Sequence, residues 1–111
     1  MIVMKFGGTS VGIPERFDVA TRLVAERARR DPVVVVSALA GVTNLLVEFC
    51  RATSGRPALA LQLEARHLDF AHQVGVPPAV LEHLLRAWQR EATPWLHGTQ
   101  VIAGADRDRV L

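Results

Sequence analysis

The residues of this chain that could bind a charged ligand are concentrated near its N-terminus. A short apolar run, Met1 to Met4, is followed by lysine, glycine and hydroxyl residues in close succession: Lys5, Gly7, Gly8, Thr9 and Ser10. Glycines allow the backbone to approach a ligand closely and to direct several N–H groups at one anion. The lysine adds a mobile full charge, and the N-terminus of a following helix adds partial positive charge. This order of residues predicts a phosphate-binding loop.

Lys5 is the only lysine in the chain, and the other side chains that are positively charged at neutral pH are arginines. A compact ammonium suits a phosphate that is being transferred, whereas a planar guanidinium would fix one geometry. The loop is not the Gly-x-x-x-x-Gly-Lys-Ser/Thr motif, because its lysine precedes the glycines, and it lacks the Gly-x-Gly-x-x-Gly spacing. The alternative is an ordinary strand-to-helix turn that contains glycines.

A strand–helix–strand unit is expected to position this loop. Met1 to Met4 predicts a buried strand, and four consecutive β-branched residues, Val33 to Val36, predict a second strand of the kind found in parallel sheets. The apolar residues between them recur every three or four positions, which predicts a helix from about Pro14 to Arg30 that Asp31-Pro32 ends: Phe17, Ala20, Val24 and Ala28. A right-handed βαβ unit places the loops after both strands at the same sheet edge, where open α/β sheets bind ligands.

The second of these loops, Ser37 to Asn44, is rich in small, hydroxyl and amide residues. Ser37 and Thr43 are candidates for neutral hydrogen bonding to a ligand, and the alternative is that they are plain turn and helix-capping residues. The loop leads into a helix with one apolar face: Val42, Leu45, Leu46, Phe49 and Cys50. Both polar loops are therefore expected at one edge of the sheet.

The rest of the chain is predicted to be helical. One apolar stripe (Leu59, Leu63, Phe70, Ala71, Val74) ends at Gly75 and Pro77-Pro78, and a second stripe (Val80, Leu81, Leu84, Leu85, Trp88, Ala92) ends at Pro94. These patterns predict a helical hairpin. A last helix is predicted from about Thr99 to Leu111.

Composition narrows the class of protein. The 111 residues suit one small domain, half of them are hydrophobic, and the net charge is only +2 without a basic face, so we expect no nucleic-acid partner. No run approaches membrane-spanning length and no signal peptide is visible, so we expect a cytoplasmic protein without a membrane partner. The single Cys50 fits a reducing compartment. The four histidines have no metal-ligand spacing, and no catalytic base stands out.

Two sequence stretches resemble those of a known family. Val3-Met-Lys-Phe-Gly-Gly-Thr-Ser-Val-Gly12 is similar to the signature of aspartate kinases, in the amino acid kinase superfamily. Val35-Val-Ser-Ala-Leu-Ala-Gly-Val-Thr-Asn-Leu-Leu46 resembles the second N-terminal motif of that family, at the right separation. The helical hairpin resembles the insertion that many aspartate kinases carry. The resemblance implies an α/β fold, the N-terminal βαβ portion of an amino acid kinase-like α/β/α sandwich: a βαβα unit over about 1–54, then a helical insertion over about 55–111.

The resemblance also implies a reaction. Aspartate kinases transfer the γ-phosphate of ATP, with Mg²⁺, to the side-chain carboxylate of L-aspartate, the first step toward lysine, threonine and methionine. By resemblance the nucleotide is bound by the first loop, with Lys5 also catalytic: Lys5, Phe6, Gly7, Gly8, Thr9 and Ser10. Ser37 and Thr43 correspond to the residues that hold aspartate. The nucleophile is an ionised carboxylate, so positioning and charge neutralisation suffice without a base.

An aspartate kinase catalytic domain is more than twice as long as this chain. We therefore expect an N-terminal fragment that is inactive alone, whose partner is the remainder of a homo-oligomeric kinase. Two strands alone are expected to leave strand edges and an apolar sheet face uncovered. The alternatives are a non-enzymatic interaction or assembly module with a relic phosphate loop, and another superfamily kinase that acts on glutamate, acetylglutamate, carbamate or uridylate.

Overall fold

A computed structural model describes residues 1–110; Leu111, the end of the predicted last helix, lies outside the described residues. The backbone divides into two compact units, Met1–Ala40 and Gly41–Leu111. The first contains both strands and the second is helical. The predicted α/β class is confirmed, and the predicted boundary near residue 54 stays a prediction.

The first unit is a strand–helix–strand arrangement. It consists of β1 (Ile2–Phe6), a single helical turn α1 (Gly8–Val11), α2 (Pro14–Glu26) and β2 (Pro32–Val36). The strands pair in parallel, from Ile2 opposite Pro32 to Phe6 opposite Val36. Both strands therefore end at the same edge of the sheet, as predicted, and the loops after Phe6 and Val36 begin there.

The elements of this unit differ from the prediction at several points. β1 continues to Phe6 and so includes Lys5, and the turn α1 was not predicted at all. α2 ends at Glu26 instead of Arg30, because a 3₁₀ turn, Ala28–Arg30, replaces its last turn. Asp31 follows with a φ of 48°, a left-handed conformation that aspartate tolerates better than most residues. The change of direction therefore occurs before Pro32 and not at it.

The sheet is largely uncovered in this unit. Val33 to Val36 are between 41 and 60% exposed, and Val3, which pairs with Val33, is 63% exposed. A continuous apolar strand is typical of a sheet that helices cover on both faces. The exposed apolar face expected for two strands alone is therefore confirmed. The prediction that Met1 to Met4 form a buried strand is wrong, since Met1 and Val3 are exposed in a sheet of only two strands.

The second unit consists of α3 (Val42–Arg51), α4 (Arg56–Val74), α5 (Pro78–Ala92) and α6 (Gly104–Val110). The predicted hairpin is present, and α4 is followed by Gly75, whose φ is 77°. The Gly75 N–H donates to His72 and the Val76 N–H to Ala71, which is the Schellman pattern. The last helix starts later than predicted, after a 3₁₀ turn, Thr93–Trp95, and an irregular stretch.

The core of this unit forms around α3 and α4. Buried Phe49, Cys50, Ala60 and Ile102 pack with half-buried neighbours that include Leu59, Trp88, Trp95, Leu96 and Val110. Burial of Val42, Phe49 and Cys50 confirms the predicted face of α3. The predicted stripe on α5 was too wide, since Val80 and Leu84 are 51 and 58% exposed. Leu81, Leu85, Trp88 and Ala92, which lie along one line of the helix, are the better-buried members.

Candidate functional site

β1 carries the first candidate residues to the edge of the sheet. Side chains alternate along the strand, so that Lys5 and Val3 are exposed whereas Met4 and Phe6 are half-buried. Among the residues that the structure describes, no carboxylate forms an ion pair with Lys5. The ammonium is thus available to an anion from solution.

The glycine pair forms the turn between β1 and α1. Gly7 is extended (φ −74°, ψ 174°) and precedes the helical turn, in which the Ser10 N–H donates to the Gly7 carbonyl oxygen at 2.9 Å. A Cβ on Gly7 would meet no atom within 4 Å, so open space lies beside this part of the backbone. The first N–H groups of a helical turn have no acceptor within the helix, and no side chain caps α1. This geometry allows an anion to approach the backbone.

Gly12 closes the same loop and is needed for a different reason. Its N–H donates to the Gly8 carbonyl oxygen at 2.9 Å, and a Cβ at position 12 would lie only 2.7 Å from that oxygen. The φ of Gly12 is −84°, which any residue adopts. Close approach of the backbone, and not an unusual conformation, therefore requires glycine here.

The second loop starts beside the first. The Ser37 N–H donates to the Phe6 carbonyl oxygen at 3.1 Å, which continues the parallel pairing one residue beyond β2. The Ala38 carbonyl oxygen lies 3.8 Å from where a Gly8 Cβ would be. The structure therefore brings Ser37, which is exposed, next to the glycine turn at the carboxyl edge of the sheet.

Thr43 lies on the second unit, as the second residue of α3, and it is exposed. The residue that precedes this helix is Gly41, at a φ of 85°, and no side-chain hydrogen bond caps the helix. The helix-capping alternative for Thr43 is therefore wrong. Its place in a ligand site stays a prediction.

Among residues 1–110 no three His, Cys, Asp or Glu side chains are grouped as metal ligands. Burial raises the pKa of the Cys50 thiol above its ordinary value, although the positive charges of Arg107 and Arg56 oppose this shift. No helix in the described part of the chain is both long and apolar enough to cross a membrane.

The sequence reasoning missed one residue that the structure makes conspicuous. Arg56, in the first turn of α4, is 1% exposed and donates to three backbone carbonyl oxygens. One sequence signal could have indicated it, because a cation in the first turn opposes the helix dipole. The carbonyl partners lie up to 44 positions away, which no local pattern shows.

Comparison with known proteins confirms the predicted resemblance. No family model matches the chain. An aspartokinase of Chlamydia trachomatis is 40% identical over 89 residues, which are 74% of this chain and 20% of that protein. An aspartokinase of Chlamydia pneumoniae is 32% identical over 111 residues (99% and 23%), and aspartokinase 3 of Arabidopsis thaliana is 38% identical over 90 (74% and 16%).

A solved structure extends this similarity to the fold. E. coli aspartokinase III, crystallised with aspartate and ADP, matches with a TM-score of 0.63 and 25% identity, over 99% of this chain and 25% of that one. The architecture is therefore that of part of an amino acid kinase-like fold. The chain spans about a fifth of the length of the curated relatives named above.

Proposed function

We propose that this chain is a segment of an aspartate kinase, which transfers the γ-phosphate of ATP to the side-chain carboxylate of L-aspartate and yields 4-phospho-L-aspartate. The similarity to aspartokinases, and to one that binds aspartate and ADP, supports this proposal. Since the chain spans about a fifth of such proteins, the activity belongs to a complete catalytic domain. The 111 residues alone are expected to show no turnover.

One observation carries the proposal: the hydrogen bond from Ser37 to the Phe6 carbonyl oxygen joins two loops at the carboxyl edge of parallel strands. Ligands of open α/β sheets bind at this edge. The first loop offers positive charge and glycine backbone, and the second offers a hydroxyl. This combination suits a phosphate next to a polar amino acid.

The proposed roles follow from this chemistry. Lys5 neutralises charge that builds up on the transferred phosphoryl group, and the turn formed by Phe6, Gly7 and Gly8, with Thr9 and Ser10, holds the ATP phosphates. The resemblance assigns Ser37 and Thr43 to L-aspartate. The acceptor is already ionised at neutral pH, so the protein's contribution is to position it and to lower the repulsion between two anions.

Mg²⁺ is proposed to enter with ATP. Residues 1–110 contain no group of three carboxylate, histidine or thiol side chains that would hold a metal alone. The donors that fit are the phosphate oxygens themselves, since Mg²⁺ in kinases is held largely by substrate phosphates and few carboxylates. When bound it would supply charge neutralisation beside Lys5.

The cellular location and the partners of the enzyme are also proposals. A cytoplasmic location fits amino-acid biosynthesis and a single thiol that has no disulfide partner within the chain. The remaining part of a kinase catalytic domain is the proposed partner of this segment, in a homo-oligomeric enzyme. Neither nucleic acid nor membrane is proposed as a partner.

Titration of the isotopically labelled chain tests the site. ADP should shift the backbone amide resonances of residues 5–10, and L-aspartate, in preference to L-glutamate or acetylglutamate, should shift those of Ser37 and Thr43. K5M should weaken ADP binding about tenfold or more. R29M is the matched control, because it removes one positive charge from an exposed residue before β2, at the opposite edge of the sheet.

Equal ADP affinity for K5M and R29M would refute the assigned role of Lys5. Turnover of aspartate by the 111-residue chain would overturn the expectation that it is inactive alone. If no nucleotide shifts residues 5–10, the assembly-module alternative gains, since the exposed valines of β2 offer a surface for association.

A further inference from the structure

Arg56 is a buried cation whose hydrogen-bond partners are all backbone. Its Nε donates to the Phe49 carbonyl oxygen at 2.9 Å and its Nη1 to that of Trp95 at 3.0 Å, while Nη2 donates to that of Gln100. The guanidinium also lies over the Phe49 ring, 5.6 Å from its centroid. Among residues 1–110 no ion pair involves Arg56. Carbonyl dipoles and an aromatic face therefore compensate the charge.

These carbonyls come from two parts of the second unit. The carbonyl groups in the last turn of α3 have no N–H donors within the helix itself. The Ala52 N–H donates to the Glu48 carbonyl oxygen and the Ile102 N–H to that of Cys50, each at 2.8 Å. The Phe49 carbonyl lies between these two in the chain, and Arg56 is its donor. A cation is also favourable at this end of the helix dipole.

The other two carbonyls belong to the connecting segment, residues 93–103, which joins α5 to α6. This segment contains a single 3₁₀ turn and is otherwise irregular, so it has few backbone hydrogen bonds of its own. Trp95 and Gln100 contact the guanidinium, and Ile102 contacts the end of α3. One side chain thus joins the segment to α3.

Gly98 lies at the centre of this arrangement. A Cβ at position 98 would lie 2.6 Å from Nη1 of Arg56 and 3.4 Å from the Trp95 carbonyl oxygen. Unlike Gly41, Gly55, Gly75 and Gly104, Gly98 does not have a positive φ. The obstacle to a side chain at this position is therefore the guanidinium, and not the backbone conformation.

We propose that Arg56 and Gly98 form a latch that orders the connecting segment on the end of α3, and that glycine is required at position 98 because arginine occupies position 56. The latch is a conformational device of the second unit and is independent of the proposed kinase function. Lysine cannot replace Arg56, since one ammonium cannot reach three carbonyls that a planar fork reaches together.

A double-mutant cycle tests the latch. R56M should raise the equilibrium constant of unfolding by about 100-fold or more, because it removes three hydrogen bonds from a charged donor and leaves the Phe49 carbonyl oxygen without its buried partner. G98A should raise it by about tenfold in the native background and by less than about threefold in the R56M background. Hydrogen exchange at the Ile102 amide should accelerate in R56M and in R56K. R86M, which removes an exposed arginine that pairs with Glu82 on α5, is the matched control.

Equal effects of G98A with and without Arg56 would overturn the coupling between the two positions. Native exchange at Ile102 in R56K would show that charge alone orders the segment, and would refute the latch. If R56M does not fold, R56K serves as the background for the same cycle, with the same reduction of the G98A effect expected. None of these measurements involves nucleotide, so their outcome is separate from that of the kinase proposal.

Discussion

Two glycines of the first loop are predicted to differ in how much stability they lose when one methyl group is added. In G12A the new Cβ would stand 2.7 Å from the Gly8 carbonyl oxygen, and 3.4 Å is the lower end of ordinary contact, so the backbone must move by about 0.7 Å. The atom in the way is main chain, which cannot rotate aside. In G7A the methyl group meets no atom within 4 Å.

The energies follow from these distances. Overpacking against rigid structure costs about 1–3 kcal/mol, and the 2.9 Å hydrogen bond from Gly12 to Gly8 would be strained as well, so G12A should lose about 2–3 kcal/mol of stability. G7A should lose about 1 kcal/mol or less, since the φ of Gly7 suits alanine and only the preference of the position before a helix opposes it. The methyl group of G7A would instead occupy the space proposed for phosphate.

Guanidinium unfolding, followed by circular dichroism of the backbone, measures the stability difference, and ADP titration measures the ligand effect. The expected pattern is an unstable G12A and a stable G7A that binds ADP more weakly. Equal midpoints of unfolding for G12A and the native chain would contradict the steric argument. A G7A protein with native ADP affinity would contradict the proposal that phosphate approaches the backbone there.

Two further predictions concern the second unit. L63A should lower the free energy of unfolding by about 2–5 kcal/mol, because Leu63 is only 2% exposed. L61A, two residues away on the same helix, should change it by less than about 0.5 kcal/mol, because Leu61 is 66% exposed. Thermal unfolding of both variants measures the difference, and equal shifts would contradict the assigned core. Burial raises the pKa of the Cys50 thiol in the folded state, so above the ordinary pKa of 9.0 the unfolded chain loses a proton that the folded chain still holds. The contribution of Cys50 to the free energy of unfolding should therefore be constant below pH 9.0 and should fall as the pH rises above it. C50A should lack this alkaline loss, and an identical pH dependence in C50A would refute the assignment to Cys50.

Features of the fold that rest on periodicity were predictable from the sequence. The valine run, the helical stripes and the glycine after Val74 each act within a few residues, and the parallel pairing follows from the spacing of the strands. The turn α1 was missed because four residues cannot show a period. Val80 and Leu84 were assigned to the core because they are apolar. The residue type alone does not show whether a neighbouring element covers that side of the helix.

In the candidate site and around Arg56, too, some features were predictable from the sequence and others were not. The approach of Ser37 to Phe6 followed from chain topology alone, because parallel strands end at one edge. The steric need for Gly12 and the hydrogen bonds of Arg56 depend on atoms that are brought together only in the folded chain, across up to 44 positions for Gln100. Long-range contacts of single side chains to backbone have no local sequence signature.

The placement of the aromatic residues determines which part of the molecule ultraviolet spectroscopy can detect. Both tryptophans, Trp88 and Trp95, lie in the helical unit, and the chain contains no tyrosine. Intrinsic fluorescence therefore reports melting around α5 and the connecting segment, while the β-strands and the glycine turn emit almost nothing. A tryptophan in place of Phe17 on α2 would give the first unit its own optical signal and would allow the two units to be followed separately in one sample.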